Sequence, residues 1–442
     1  MSSFFRNKIN ICCQHPRVMT ILAVLGGGVM GSYTAAKLAP FVDEVRIYDS
    51  RKLGTKFEFP NIRVVGSIQE AVINADFVNA CVPTEVVGDV LAEALPYCKN
   101  GAFIGGQTSR KDPEVQAFRE FARANPEANL HYLSIHTMCN PEKADPSKQR
   151  LGIIRDGPED EAYHNGKAFY LQLPGRESDF ESPDEHDLRV ANTQVNTSRT
   201  MLTIASSFED AKCFPWLNGN YGSGLDAMKF SLAMRAASFE PHVYKGIQFG
   251  NPVGKEIVTH SMEVESDLFR QILGRQFRQY RDRVKDAKRK IFGDSPKSLL
   301  STSAVTSFSR GAALPNSQFS LINYVVAEAE AGRDLFGDIK ATTAMHTGLI
   351  SLVDFLFTHP ELLDQSIETP FTNAGVRMDD LVFHNQFQSW STAIVHESGE
   401  LYDHMHAKMR TGLNNDEVKR EVELSQRIVD ICQDALEQRL AA

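Results

Sequence analysis

Gly26-Gly27-Gly28-Val29-Met30-Gly31 places glycine at the first, third and last positions of a G-x-G-x-x-G motif. Gly26 permits a tight turn, Gly28 lets the backbone approach a pyrophosphate, and Gly31 lets helix and strand pack closely. A helix starting here turns its N-terminal amides, around Val29 and Met30, towards the phosphates. Asp49 follows eighteen residues after Gly31. Its carboxylate could accept from a ribose 2′-hydroxyl, as in NAD, whereas Ser50, Arg51 and Lys52 would suit the 2′-phosphate of NADP. The residues alone leave both cofactors open. His136, in Ser134-Ile135-His136-Thr137-Met138-Cys139-Asn140-Pro141, is a candidate base. An imidazole can remove a hydroxyl proton while hydride leaves the same carbon. Ser109, in Gly105-Gly106-Gln107-Thr108-Ser109-Arg110-Lys111, could orient it. Arg235 lies among apolar neighbours in Lys229-Phe230-Ser231-Leu232-Ala233-Met234-Arg235. A buried guanidinium needs an anion, and a carboxylate matches its planar fork. An internal Asp or Glu would serve equally.

Alternating strands and helices must position these groups. Ile21–Leu25 runs into the glycine turn, a helical pattern reaches Leu38, and Val45-Arg46-Ile47-Tyr48-Asp49 reads as a second strand. Further strands are expected at Ile62–Val65, Phe77–Val82, Ala102–Gly105 and Asn129–Ile135, with helices near Ile68–Ile73, Glu85–Leu95 and Pro113–Ala124. This β/α alternation predicts a Rossmann-type α/β fold, a doubly wound parallel sheet. Ligands bind at the carboxyl ends of such strands, which adds Val82, Pro83 and Gln107 as cofactor contacts and brings His136 to the same crevice. Between Arg155 and Asp187 the chain turns polar and acidic, and the domain boundary is placed near its end. The expected division is an extension at 1–18, a dinucleotide-binding domain at 19–182 and an all-α substrate and dimerisation domain at 183–442. In the latter, Phe269, Leu273, Phe277, Tyr280, Val284, Ala287 and Ile291 carry the period of one long amphipathic helix, whose stripe suggests a homodimer.

With 442 residues, 42% hydrophobic and 23% charged, the chain is of ordinary globular composition and long enough for two or three domains. Lys+Arg number 47 against 56 Asp+Glu, a net charge of −9, which argues against nucleic-acid or acidic-membrane partners. An anionic substrate must therefore be drawn by a local cluster of cations. Arg270 to Lys290, with nine cations and two acids, is a reserve for that role or a solvated basic face. No apolar run is long enough to span a membrane. Seven widely spaced Cys without a C-x-x-C pair read as reduced thiols in a cytoplasmic protein. His404-Met405-His406 lacks a suitably spaced third ligand, so no metal site is expected.

The chain resembles the prephenate dehydrogenases, most closely their fungal, yeast-type branch, from about Ile21 into the C-terminal helices. The resemblance is carried by Gly105-Gly106-Gln107-Thr108-Ser109, His136 with Pro141, Glu185-His186-Asp187, Thr193-Gln194 and Pro215-Trp216. It continues through Leu232 to Arg235, His242-Val243-Tyr244, Asn251-Pro252 and Leu314-Pro315-Asn316-Ser317. It implies oxidative decarboxylation of prephenate to 4-hydroxyphenylpyruvate in tyrosine biosynthesis, with His136 as the catalytic histidine. By the same resemblance Ser109 orients His136, Arg235 holds a substrate carboxylate, and Gln194 and Ser198 flank the substrate. The family pattern has histidine where this chain has Ser198, with Arg199 next. The fungal branch implies NADP, with Arg51 on the 2′-phosphate. The rivals are an arogenate dehydrogenase, another hydroxyacid dehydrogenase, whose helical lysine base has no matching motif here, and a nucleotide-sensing protein without catalysis.

Overall fold

A computed structural model describes residues 19–53, 57–142, 145–212, 222–293, 298–312, 314–337, 339–413 and 416–441. The extension at 1–18, the cysteines Cys12, Cys13 and Cys213, and Pro215-Trp216 lie outside the described residues. The sheet half comprises β1 (Ile21–Leu25), α1 (Val29–Leu38), β2 (Glu44–Tyr48), β3 (Ile62–Val64), α2 (Ile68–Val72), β4 (Phe77–Ala80) and α3 (Thr84–Ala94). It continues with β5 (Phe103–Gly106), α4 (Asp112–Ala124), β6 (His131–Thr137), β7 (Arg150–Arg155), α5 (Glu161–Tyr170) and β8 (Arg176–Phe180).

All five residues of β1 are buried, because helices cover both faces of the sheet. Ala23 and Leu25 pack towards Val87, Leu91 and Val115, whereas Leu22 and Val24 pack towards Ala35, Leu38 and Tyr163. The strand order is β3-β2-β1-β4-β5-β6-β7-β8, eight strands among the described residues. The sheet is not wholly parallel as expected: β7 pairs antiparallel with β6, at His136↔Gly152, and β8 runs parallel to β7. The connection after β6 carries only a short 3-10 turn at Pro146–Lys148 among its described residues, with no crossover helix to bring the chain round in parallel. The acidic stretch beyond Arg155 is likewise a helix and a strand, α5 and β8. Its acids have local duties: Asp160 accepts from the Tyr163 amide at the start of α5 (2.8 Å), and Asp179 pairs with Lys167 and accepts from the Tyr163 hydroxyl.

Pro183 opens the helical half. Here α6 (Pro183–Val190), a π turn (Ala191–Val195) and α7 (Asn196–Ala211) follow one another without a break. Then come α8 (Gly224–Ala237), α9 (Pro241–Gln248), α10 (Pro252–Leu273), α11 (Phe277–Phe292), α12 (Thr302–Thr306) and α13 (Phe319–Glu330). The remainder are α14 (Ala344–Thr358), α15 (Pro360–Thr372), α16 (Ala374–Val395), α17 (Gly399–Thr411) and α18 (Asp416–Ala441). Every residue of α8 is buried, so this helix is the axis around which the others pack.

The apolar stripe from Phe269 to Ile291 is divided between α10 and α11. The Gln276 amide closes α10 on the Gln271 carbonyl (2.8 Å), Arg275 takes a left-handed φ of +54°, and Leu273 is exposed. Tyr280, Val284 and Ala287 are buried within this chain, so the stripe provides no argument for a dimer.

Gly105 shows how tightly the strands that carry the chemistry are set. A Cβ there would stand 2.3 Å from the Leu133 carbonyl oxygen and 2.6 Å from the Ser134 Cα on β6. Gly105→Ala is therefore expected to force β5 and β6 apart, at a cost of about 1–3 kcal/mol. Thermal unfolding reads this directly, and an unchanged Tm would contradict the packing described.

Candidate active site

The glycine turn is sterically obligatory. Gly26 has φ +102°, and a Cβ on Gly31 would lie 1.8 Å from the Gly26 carbonyl oxygen. Gly28 caps α1 with no side chain on the first helical amides, and the space where its Cβ would stand is open. An uncapped helix N-terminus with open space before it is suited to a pyrophosphate. Asp49 holds the turn from behind: one carboxylate oxygen accepts from the Gly27 amide (2.8 Å) and the other from the Arg51 amide (2.8 Å) and Nε (3.2 Å). Burial opposes ionisation of Asp49, but the hydrogen bonds from Arg51 and Gly27 outweigh it and hold the pKa below the usual range. The Asp49 side chain is 6% exposed and that of Arg51 77%, so the cation is the group presented at the rim.

A cleft of about 890 Å³ runs from this turn along the carboxyl ends of β4, β5 and β6 to α8 and α9. All the residues that sequence reasoning assigned to cofactor, substrate or catalysis line it, except Gly31, which is spent on packing. Gln107 lines it but uses both ends of its amide internally, donating to Thr34 Oγ1 and accepting from the Thr137 amide, each at 3.0 Å.

At the end of β6, His136 is buried, with Nε2 3.3 Å from Ser109 Oγ and Nδ1 3.0 Å from His186 Nε2. His186 Nδ1 in turn lies 2.8 Å from Asp187 Oδ1. Asp187 accepts from the Lys111 amide (2.8 and 2.9 Å) and the Asp112 amide (3.0 Å), so α6 is tied to the start of α4. Burial lowers the pKa of both histidines well below 6.5 and raises that of Asp187 to about 6. Beneath them Lys111, with no exposed side-chain surface, lies 3.3 Å from an equally buried Glu114. Its ammonium donates to the Ile135 carbonyl (2.9 Å) and the Gly106 carbonyl (3.4 Å), while Glu114 accepts from Tyr132, Ser134 and Thr108 hydroxyls.

The helical wall supplies Arg235, His242 and Tyr244 on one side and Gln194, Thr197 and Ser198 from the π turn and α7. Arg235 is 6% exposed and donates to Gln426 Oε1 (3.1 Å) and Ser425 Oγ (3.4 Å) on α18. Ser198 donates to the Gln194 carbonyl (2.7 Å) and accepts from Gln248 Nε2 (2.8 Å). Arg199 points away, into the helical core, over the Phe387 ring at 3.9 Å. No residue of the basic run on α11 lines the cleft; Arg283 pairs with Glu330, Lys285 with Asp364 and Arg289 with Asp286. That run is a solvated face, not a reserve of field for a substrate. Among the described residues no group of three His, Cys, Asp or Glu could hold a metal ion, and no helix is long and apolar enough to cross a membrane.

Sequence reasoning assigned no role to His186, Asp187, Lys111 or Glu114. One signal was present: Lys111 immediately precedes α4, where a cation opposes the helix dipole and so needs a separate reason.

Residues 195–433 match the family described as 6-phosphogluconate dehydrogenase C-terminal domain, in its tyrosine-pathway-like form. The chain is 27% identical over 330 residues to a probable prephenate dehydrogenase [NADP(+)] of Schizosaccharomyces pombe, covering 72% of this chain and 75% of that one. It is 25% identical over 403 residues to the prephenate dehydrogenase [NADP(+)] of Saccharomyces cerevisiae, covering 86% and 87%. Among solved structures, prephenate dehydrogenase from A. aeolicus with hydroxyphenyl propionate and NAD+ is 15% identical, with TM-score 0.47, over 62% of this chain and 97% of that one.

Because burial keeps both imidazoles neutral, the folded chain binds fewer protons here than the unfolded chain does below pH ~6.5. The stability that this confers is full above that pH and is lost as pH falls through it. Asp187, raised to about 6, works in the opposite sense at lower pH. Histidine C2–H resonances followed by NMR should show no titration of His136 or His186 between pH ~6.5 and 8. A midpoint for His136 at its ordinary value would contradict the burial.

Proposed function

The chain belongs to the family of the 6-phosphogluconate dehydrogenase C-terminal domain, and from that premise we propose that it is a prephenate dehydrogenase that uses NADP, with His136 as its base. The observation that carries this reading is one imidazole, buried at a strand's carboxyl end with Nε2 towards Ser109, in a cleft shared by a dinucleotide turn and Arg235. NADP, when bound, accepts the hydride from the ring carbinol carbon. His136 Nε2 takes the proton of that hydroxyl, and Ser109 holds the imidazole and the hydroxyl in line. The resulting dienone is vinylogous to a β-keto acid, so carbon dioxide leaves and the ring aromatises. The protein need supply only orientation, one base and neutralisation of the substrate's charge.

Arg235 supplies that neutralisation, with His242 on the same wall. The acids that line the cleft, Asp49 and Glu85, both stand in the sheet half. Around Arg235 the described lining therefore offers no carboxylate to an ammonium group, which favours the keto acid over its aminated analogue, arogenate. Arg51 is the group for the 2′-phosphate: it is presented at the rim, while Asp49 is occupied by the Gly27 and Arg51 amides.

Assays of prephenate and arogenate, each with NADP and NAD, separate the possibilities. Turnover is expected to be fastest with prephenate and NADP, and binding of cofactor without turnover of either substrate would reject the enzymatic reading. His136→Asn should lower kcat by about 10²–10⁴-fold with cofactor affinity nearly kept. Arg51→Ala should raise KM for NADP at least about tenfold and leave KM for NAD little changed, since a single charge-assisted contact is removed; equal effects on both cofactors would place the 2′-phosphate elsewhere.

A further inference from the structure

We propose that Asp187, acting through His186, fixes His136 in the tautomer whose Nε2 is bare and faces the cleft, which makes His186 and Asp187 positioning residues for the base. The inference rests on the reading of His136 as that base, and its first test does not depend on turnover.

The direction of each hydrogen bond follows from the donors. The Lys111 and Asp112 amides can only donate, so both oxygens of Asp187 act as acceptors. Asp187 Oδ1 then accepts from His186 Nδ1, 2.8 Å away, and the hydrogen resides on that nitrogen. A neutral imidazole carries one N–H, so His186 Nε2 has a lone pair. His136 Nδ1 lies 3.0 Å from it, and a contact between two ring nitrogens needs one hydrogen, which His136 must supply. His136 Nε2 is thereby left unprotonated, and Ser109 Oγ donates to it at 3.3 Å until a substrate hydroxyl takes that place.

The surrounding charges keep the chain in this state. Lys111, beneath both rings, disfavours an imidazolium, and Lys111 and Arg110 favour ionised Asp187. Glu185 on α6 acts in the other direction on His186, and Glu114 neutralises Lys111 from within α4. The Phe180 ring meets the His186 ring edge-on at 5.1 Å, which excludes water from that side. The carboxylate does not need to take up the proton; it sets which nitrogen of His136 is free to do so.

The test uses the full chain without ligand, labelled with ¹⁵N in histidine. His136 Nε2 is expected at the shift of an unprotonated ring nitrogen, and Nδ1 at that of a protonated one. In Asp187→Asn the new carbonyl can keep the two backbone amides while the amide group donates to His186 Nδ1. The chain of donors then reverses, so the hydrogen on His136 should move to Nε2. With prephenate and NADP, kcat should fall about 10²–10⁴-fold, with both KM values within about threefold of wild type. His186→Leu leaves the Asp187 contacts to α4 in place, so it should keep its Tm and lose a comparable part of kcat. A wild-type His136 protonated at Nε2 would overturn the proposal, as would His186→Leu with kcat within threefold of wild type. Absence of prephenate turnover with the expected tautomer would instead count against the assigned reaction alone.

Discussion

Lys111 is a full positive charge with no exposed side-chain surface, and the arrangement of the sheet's active edge follows from answering it. Desolvating an ammonium group costs several kcal/mol, recovered only if an anion and further acceptors stand close by. Glu114 supplies the anion one turn along α4, and the carbonyls of Gly106 and Ile135 supply the acceptors. Those carbonyls lie at the ends of β5 and β6, next to the segments that present Ser109 and His136. Glu114 in turn collects the hydroxyls of Tyr132, Ser134 and Thr108, so α4, β5 and β6 are held in one register. Two side chains that belong together in the cleft are thus placed by a pair that never reaches it.

Recognition of an anion by a chain of net charge −9 is resolved on the same local scale. The nine cations between Arg270 and Lys290 do not help, because neighbouring acids hold several of them on a surface away from the cleft. What faces the ligand is sparse: Arg51 at one end, Arg235 and His242 at the other, and uncapped helix amides between them. Sparse charges in a partly enclosed cleft act more strongly than many in water, because fewer solvent dipoles screen them. Exclusion of solvent therefore matters as much as the number of cations.

The βαβ order, the glycine turn and the grouping of His136, Ser109 and Arg235 were legible because they depend on local spacing and on the rule that ligands gather at the carboxyl ends of strands. What was not legible depends on distant partners. Nothing near Arg150–Arg155 says that β7 will reverse, because direction is set by the connection and by what β6 leaves unpaired. The acids of α5 and β8 suggested a boundary only because their partners, Tyr163 and Lys167, are invisible as partners in one dimension. The stripe from Phe269 to Ile291 kept a helical period across a break, since a hydrophobic pattern records which side is covered and not whether the backbone continues. His186 and Asp187 could be read as a matching stretch, but their contact with His136 spans 50 residues and becomes visible only in the fold.

The π turn at Ala191–Val195 has a consequence for how the two halves could have been matched to each other. A π turn holds one residue more than the α-helical turn it replaces, and each residue advances a helix by about 100°. The face of α6 that carries His186 and the face of α7 that carries Ser198 therefore have separate angular settings along one uninterrupted rod. Adding or removing a single residue there would rotate one set of contacts against the other without lengthening any loop. The turn acts as a phase adjuster between a sheet that holds the base and a bundle that holds the substrate, and it lets each half change its side chains without dragging the other out of alignment.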